Sequence, residues 1–266
     1  FRTGLAHVTG EFVAFVDADD MWQPDFLSRH IHAHLSFQPV AFTSSDQYQI
    51  NENDELIAGQ HTDHQGRGNF VLVKPFRIYV NWWVWGTTST MVFRKAVLDV
   101  LMPEYTEPFR RCADNYMCHF AHLLGGSLLI PERLGFYRRH RRNLFSGNPI
   151  IGGDFQPTGN MTHHPSHEAV RTNVRMVLHT NIAQFHGLLG GVVLARCLAM
   201  TMTLPETLLL ISQWLARKKW TDATFNLIMT LLARNVIYRF RWRVGRCLML
   251  KSPPRMEVQK ITAPPQ

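Results

Sequence analysis

The sequence predicts an α/β fold built on a mixed β-sheet, followed by a mainly helical carboxy-terminal region. Three observations support this prediction. An apolar run at residues 12–16 is too short for a globular helix and is typical of a buried strand. Strand-like and helix-like patterns then alternate as far as residue 147. Beyond residue 168, turn signals become rare and apolar residues recur at helical spacing as far as residue 250.

The predicted elements of the amino-terminal part follow one another closely. The five apolar residues form a first strand, which we expect to be buried on both faces, as in a parallel sheet. A helix at residues 25–37 begins after Pro24, because proline is common in the first helical turn. The remaining predicted elements are a strand at 39–44, a hairpin-like excursion at 48–57, a strand at 86–93, a helix at 111–124 and short strands at 127–130 and 134–137.

The first strand ends in three acids, Asp17, Asp19 and Asp20. Buried charges are costly unless they are paired or bound to metal, so we expect these side chains in the crevice at the carboxyl end of the strand. Two acids separated by one residue can reach one Mg²⁺ or Mn²⁺ ion. Phosphate groups of the substrate often complete the coordination shell of such an ion. The pattern therefore indicates nucleotide-diphosphate chemistry. The alternative is an acidic turn that caps the following helix.

Four segments, in order, resemble the family 2 glycosyltransferases of the GT-A fold. The first contains Gly4, Gly10 and Glu11, then the apolar strand and the run of residues 17–22 with sequence Asp-Ala-Asp-Asp-Met-Trp. The others are residues 86–95, 113–117 and 134–143, the last similar to the family's Tyr-Arg-x-His-x-x-Asn signature. The resemblance covers residues 1–147. It implies metal-dependent, inverting transfer of a sugar from a nucleotide-diphosphate sugar to a hydroxyl group of a glycan or a lipid-linked acceptor.

The resemblance also implies roles for individual residues. Asp19 is the principal ligand of Mg²⁺ or Mn²⁺, and Asp17 contacts the cation or the nucleotide sugar. Asp114 is the base that deprotonates the acceptor, unless it only stabilises the start of its helix. The residues expected at the donor phosphates are Arg138, His140 and Arg141, and those expected on the acceptor side are Trp85, Thr88 and Ser89. Two alternatives stay open, because the basic run can be a solvated strand end and the tryptophans at 82, 83 and 85 can belong to a core or an interface.

The chain also departs from this family's pattern. It begins at Phe1, where members are already well into their domain, so we expect a nucleotide-binding βαβ half to be missing. The Gln-x-x-Arg-Trp motif of processive polysaccharide synthases is absent from the comparable region, which favours single sugar additions. A second class of function stays open, namely a non-catalytic GT-A-derived fragment that binds a membrane or a partner.

Charge divides the chain into two parts. The whole chain carries 28 Lys and Arg against 20 Asp and Glu, a net charge of +8, and residues 171–251 alone have a net charge of +10. We predict a catalytic domain at 1–147, a Gly- and Pro-rich linker at 148–167 and a basic helical tail at 168–266. Arg196 and Pro205 interrupt the longest apolar stretch of the tail, which argues against a simple membrane-spanning helix.

The basic residues of the tail lie beside aromatic residues, as at 217–220 and 239–243. This pattern is typical of helices that lie in the headgroup region of an anionic membrane. The alternative is a helical appendage packed on the catalytic domain or on a second subunit. No nucleic-acid-binding motif accompanies the charge, so nucleic acid is not an expected partner. Four cysteines without paired spacing favour a reducing cytoplasm. The basic tail would place such a protein on the inner face of the membrane.

Overall fold

The computed structural model describes residues 1–37, 39–57, 69–74, 83–102 and 113–140, four isolated positions between 205 and 212, and the backbone of residues 259–261. The chain divides into two compact units, Phe1–His164 with Val258–Gln266, and Pro165–Glu257. The predicted linker, nearly all of the predicted tail and Arg141 lie outside the described residues, so their boundaries and roles stay predictions. Within the described part, no helix is long and apolar enough to cross a bilayer.

The first unit contains a mixed β-sheet to which the described residues contribute seven strands. These are β1 (Phe12–Ala14), β2 (Met21–Trp22), β3 (Phe42–Ile50), β4 (Phe70–Val73), β5 (Met91–Arg94), β6 (Ser127–Arg138) and β7 (Gln259–Ile261). The strand order is β1-β5-β3-β6-β4-β7, and β2 pairs with β6 outside this path. Strands β3 and β6 run parallel, whereas the other described pairs are antiparallel. The predicted mixed α/β class is confirmed.

Four helices and one 3₁₀ turn accompany these strands in the described part of the chain. They are α1 (Arg2–Leu5), α2 (Phe26–Ser36), the 3₁₀ turn (Thr88–Thr90), α3 (Lys95–Leu101) and α4 (Ala113–Gly125). Helix α2 buries Phe26, His30, Ala33 and His34, which share one face at helical spacing. Phe26 stacks on Trp22 with a centroid separation of 4.4 Å. The helix predicted at 25–37 is therefore confirmed, and its first turn packs against the segment that follows the acids.

Strand β3 is central to the sheet and unusually polar. Nearly all of its nine residues are buried, although their sequence is Phe-Thr-Ser-Ser-Asp-Gln-Tyr-Gln-Ile. Buried polar groups require partners. Ser44 Oγ accepts a hydrogen bond from the Gly86 amide at 2.9 Å, and Gln47 Oε1 accepts from the Thr87 amide and hydroxyl at 3.1 and 2.9 Å. The polar side chains of β3 therefore anchor the segment that leads into the 3₁₀ turn.

One predicted pairing and several predicted strand boundaries were wrong. β1 pairs antiparallel with β5, and only the central Val13 is buried, so the doubly buried parallel strand is not observed. An apolar run indicates that a strand is buried, but it does not indicate whether the partner strand is parallel or antiparallel. β3 continues to Ile50 rather than ending at residue 44. The hairpin-like excursion predicted at 48–57 is confirmed, because an antiparallel β-bridge joins Ile50 to Leu56. β6 is one strand rather than two because β3 pairs along its whole length, with a register shift at Asp46.

Candidate active site

The acids of the first strand lie in the loop between β1 and β2. The amide of Asp20 donates to the carbonyl of Asp17 at 3.0 Å, which closes a turn. The 3₁₀ turn supports this loop, because the Asp17 amide donates to Ser89 Oγ at 3.0 Å and the Trp22 indole N–H donates to the Ser89 carbonyl at 2.6 Å. Ser89 itself is only 2% exposed. A buried serine therefore holds the acidic loop in its shape.

The three carboxyl groups of this loop have different environments. Burial raises the pKa of Asp20 to about 6, although hydrogen bonds from Ser89 and from the Arg138 amide favour its charged form. The Arg138 amide lies 2.9 Å from Asp20 Oδ1. Burial and the neighbouring charge of Asp19 also raise the pKa of Asp17, although Asp17 is exposed as a residue. Asp20 therefore supports the loop, whereas Asp17 and Asp19 form its solvent-accessible pair.

Asp114 lies in the first turn of α4 and joins the same cluster through the 3₁₀ turn. Its carboxyl group accepts hydrogen bonds from the Thr88 side chain and the Asn115 amide. Burial raises the pKa of Asp114, and the negative charge of Asp17 raises it further. A carboxylate with a raised pKa holds a proton more strongly, which suits a general base. The adjacent residues Thr88 and Ser89 thus connect Asp114 to the acidic loop.

Two basic residues at the end of β6 contact the acidic loop. His140 Nε2 lies 2.8 Å from Asp19 Oδ2. The Arg138 guanidinium donates from Nε to the Asp19 carbonyl at 2.7 Å, and its other two nitrogens contact the Asn51 carbonyl at 2.9 Å and the Asp54 carboxylate at 2.5 Å. The structure therefore brings Arg138 and His140 to the predicted site. A direct contact of either residue with a donor phosphate stays a prediction.

The acidic loop is compatible with a divalent cation. No cluster of three or more His, Cys, Asp or Glu ligands occurs within the residues that the structure describes. Asp17 and Asp19 supply the carboxylate oxygens that Mg²⁺ and Mn²⁺ prefer, and the repulsion between these two groups contributes to the raised pKa of Asp17. A cation shared by the pair would relieve this repulsion. The two carboxylates therefore fit a cation that takes its remaining ligands from the phosphates of a substrate.

The residues predicted on the acceptor side have two different environments. Thr88 and Ser89 lie in the 3₁₀ turn and contact the site, as described above. Trp85 is fully buried, and its indole N–H donates to Ser127 Oγ at 2.8 Å. Its ring packs against Phe42, at a centroid separation of 5.3 Å, and its complete burial leaves it inaccessible for stacking on a sugar. The core alternative is therefore correct for Trp85, which supports the acceptor-side segment from within.

Sequence reasoning missed three residues that shape this site, namely Trp22, Asn51 and Asp54. Trp22 belongs to the first motif, but no hydrogen bond to the 3₁₀ turn was predicted for it. The Asn and Asp residues at 51–54 signal a tight turn. That signal is local, however, and Arg138 lies 87 residues beyond Asn51 in the chain. The contact between them follows only from the pairing of β3 with β6.

Comparison with known proteins shows which family the amino-terminal part of the chain resembles. Residues 1–101 match the family model described as Glycosyl transferase family 2. Over 143 residues the chain is 30% identical to an uncharacterized glycosyltransferase of Nostoc sp., and this alignment covers 54% of the chain and 44% of the relative. The match therefore spans less than half the length of that relative. The amino-terminal part of the chain is therefore similar to the family 2 glycosyltransferases, as its motifs predict.

Proposed function

We propose that the protein transfers single sugars from a nucleotide-diphosphate sugar to a hydroxyl group of a glycan or a lipid-linked acceptor. The observation that supports this proposal best is that Asp17 and Asp114 are joined through one buried 3₁₀ turn. Sugar transfer requires acidic groups for two tasks, which are holding a cation-bound diphosphate and accepting the proton of the acceptor. The match of residues 1–101 to a glycosyltransferase family model supports the same class of reaction.

In the proposed reaction, Asp114 accepts the proton of the acceptor hydroxyl group. The acceptor oxygen then bonds to the anomeric carbon while the bond from that carbon to the diphosphate breaks, so the configuration inverts. One base is sufficient for this single displacement, which needs no carboxylate nucleophile. The raised pKa of Asp114 favours acceptance of the proton in the transition state. Thr88 donates to the same carboxyl group and keeps it oriented.

Asp17 and Asp19 are the residues proposed to hold Mg²⁺ or Mn²⁺. When bound, the cation would neutralise negative charge on the leaving diphosphate as a Lewis acid. His140 lies beside Asp19, and we place it with Arg141 near the donor phosphates, where hydrogen-bond donors stabilise developing negative charge. Asp20, whose carboxyl accepts a hydrogen bond from the Arg138 amide, keeps the loop in place and is not assigned to the cation.

We also propose that the basic tail rests on an anionic membrane surface. The net charge of +10 over residues 171–251 and the aromatic residues beside those bases support this placement. Each base close to anionic lipid contributes about 1 kcal/mol of attraction. A membrane-bound tail would bring the active site close to a lipid-linked acceptor.

Calorimetry with nucleoside diphosphates tests the proposed function. The wild-type protein should bind at least one of UDP, GDP, CDP and ADP when Mn²⁺ is present, and EDTA should abolish that binding. Asp19→Ala should weaken it about tenfold or more, because a carboxylate ligand is lost. The control Asp99→Ala removes an exposed carboxylate on α3 and should bind as the wild type does.

Two outcomes would contradict the proposal. Binding that is indifferent to the cation would make the acidic loop a structural element and remove Asp17 and Asp19 from donor chemistry. Failure of the wild-type chain to bind any of the four diphosphates would favour the non-catalytic fragment that binds a membrane or a partner.

A further inference from the structure

The turn that follows β3 has a defined shape although its side chains are exposed. Asn51 Oδ1 accepts hydrogen bonds from the amides of Asn53 and Glu55 at 2.9 and 3.0 Å, and Asn51 Nδ2 donates to Glu55 Oε2 at 2.7 Å. Asp54 has a φ angle of 65°, in the left-handed region that Asn and Asp tolerate better than other side chains. The turn therefore holds the Asp54 backbone in a defined conformation, from which its carboxylate reaches Arg138.

Arg138 connects this turn to the acidic loop of the site. Each of its three guanidinium nitrogens has an acceptor, and the acceptors are the Asp19 carbonyl, the Asn51 carbonyl and the Asp54 carboxylate. The Arg138 side chain is only 18% exposed, whereas that of Asp54 is 62% exposed. Because the guanidinium is planar and rigid, its three contacts have fixed relative directions. A change at one acceptor therefore alters the contacts at the other two.

We infer that Asp54 is a positioning residue for Asp19 and acts through Arg138. This inference rests on the proposed function, because it gives Asp54 an indirect part in donor binding. The competing explanation is an ordinary exposed ion pair, which contributes little to stability and nothing to the site. The Arg138 contact with the Asp19 carbonyl favours the positioning role, since the same guanidinium that pairs with Asp54 also holds the backbone of a proposed ligand.

The consequence of losing Asp54 follows from these contacts. Arg138 would keep its two carbonyl acceptors but lose the carboxylate that pairs with its charge. The Asp19 backbone, which sets the direction of the Asp19 carboxylate, would then be held less firmly. Donor affinity should fall as a result, while the proton transfer at Asp114 is left unchanged. We therefore expect a higher KM for the donor, with kcat close to that of the wild type.

The test compares Asp54→Asn with Glu52→Gln. Both variants remove one negative charge from the same turn, and asparagine keeps the tolerance for positive φ that the position requires. Calorimetry with Mn²⁺ and the tightest-binding nucleoside diphosphate should show about fivefold weaker binding for Asp54→Asn, the upper range for a pair with one exposed partner. Glu52→Gln should bind as the wild type does. Hydrogen exchange of the peptide that spans residues 15–22 should accelerate in Asp54→Asn alone.

A double-mutant cycle with Arg138→Gln isolates the route of the effect. If Asp54 acts through Arg138, the Asp54→Asn change should have no further effect on exchange or binding in the Arg138→Gln background. An equal effect in both backgrounds would overturn the inference, as would identical behaviour of Asp54→Asn and Glu52→Gln. Should Arg138→Gln fail to fold, the comparison of Asp54→Asn with Glu52→Gln decides alone. Hydrogen exchange is measured without donor, so it tests the positioning role even if the wild-type chain binds no diphosphate and the proposed function fails.

Discussion

Replacement of Asp114 by asparagine tests the proposed base most directly. Asparagine has nearly the same shape, and its side-chain oxygen can still accept the hydrogen bonds from Thr88 and the Asn115 amide. Burial already disfavours the charged form of Asp114, so a neutral amide removes a buried charge without leaving these donors unpaired. The variant should therefore be at least as stable as the wild-type protein.

Turnover should respond very differently from stability. An amide cannot accept the proton of the acceptor, and positioned bases typically contribute about 10²–10⁴-fold to a rate. This range corresponds to roughly 3–5 kcal/mol of activation free energy. Asp17 and Asp19 are unchanged in the variant, so nucleoside-diphosphate binding with Mn²⁺ should stay within about threefold of the wild-type value.

The assay is steady-state release of nucleoside diphosphate, with the nucleotide sugar and acceptor that give the highest wild-type turnover. Urea unfolding verifies that each variant is folded. Thr88→Val is a useful second variant, because it keeps the carboxyl group but removes a hydrogen bond that orients it, and its turnover should fall about tenfold. Wild-type turnover in a folded, donor-binding Asp114→Asn protein would remove Asp114 from the mechanism.

Two further predictions concern acid stability and the tail. Burial lowers the pKa of His34 to about 4, although the hydrogen bond to the Val92 carbonyl favours the charged form, so the folded protein keeps this side chain neutral near pH 7. Below about pH 6.5 the unfolded chain binds a proton that the folded chain does not, and stability should fall until about pH 4. Between pH 7 and pH 5, the free energy of unfolding in urea should therefore fall by about 2 kcal/mol more in the wild type than in His34→Gln. An equal fall in both proteins would exclude His34 as the cause. In flotation assays the full chain should bind anionic vesicles but not neutral ones, and it should dissociate at high salt. If it binds neither kind of vesicle, the alternative of a tail packed as a helical appendage is favoured.

The fold was predictable where its signals are local and not where they depend on partners. Helix α2 follows from apolar spacing after Pro24, and β1 follows from five consecutive apolar residues. The direction of β1 was missed because β5 lies some eighty residues later in the chain. The predicted strand ended too early, at residue 44, because the polar sequence of β3 normally indicates a surface segment. It is buried because Ser44 and Gln47 find partners at Gly86 and Thr87, which no local pattern reveals.

The grouping of the candidate residues was predictable from motifs, because acids that follow an apolar strand are expected in the crevice where such sheets bind ligands. Asp17, Asp19, Asp114, Arg138 and His140 do lie together. The motifs could not indicate which of these side chains contact one another. The ion pair between Arg138 and Asp54 depends on the parallel pairing of β3 with β6, and this pairing is a property of the folded sheet.

The 3₁₀ turn explains how an exposed acidic loop can keep a defined distance from the proposed base on α4. A Cβ atom at Gly86 would collide with the Thr90 side chain and lie 2.8 Å from the Ser45 carbonyl, and one at Gly135 would lie 2.8 Å from Thr90 Cγ2. The turn is thus packed tightly against β3 and β6 and has little room to shift. Ser89 orients the acidic loop and Thr88 orients Asp114, so the interior of the sheet sets the separation of the two proposed functions. Such preorganisation is what charge stabilisation in a transition state requires.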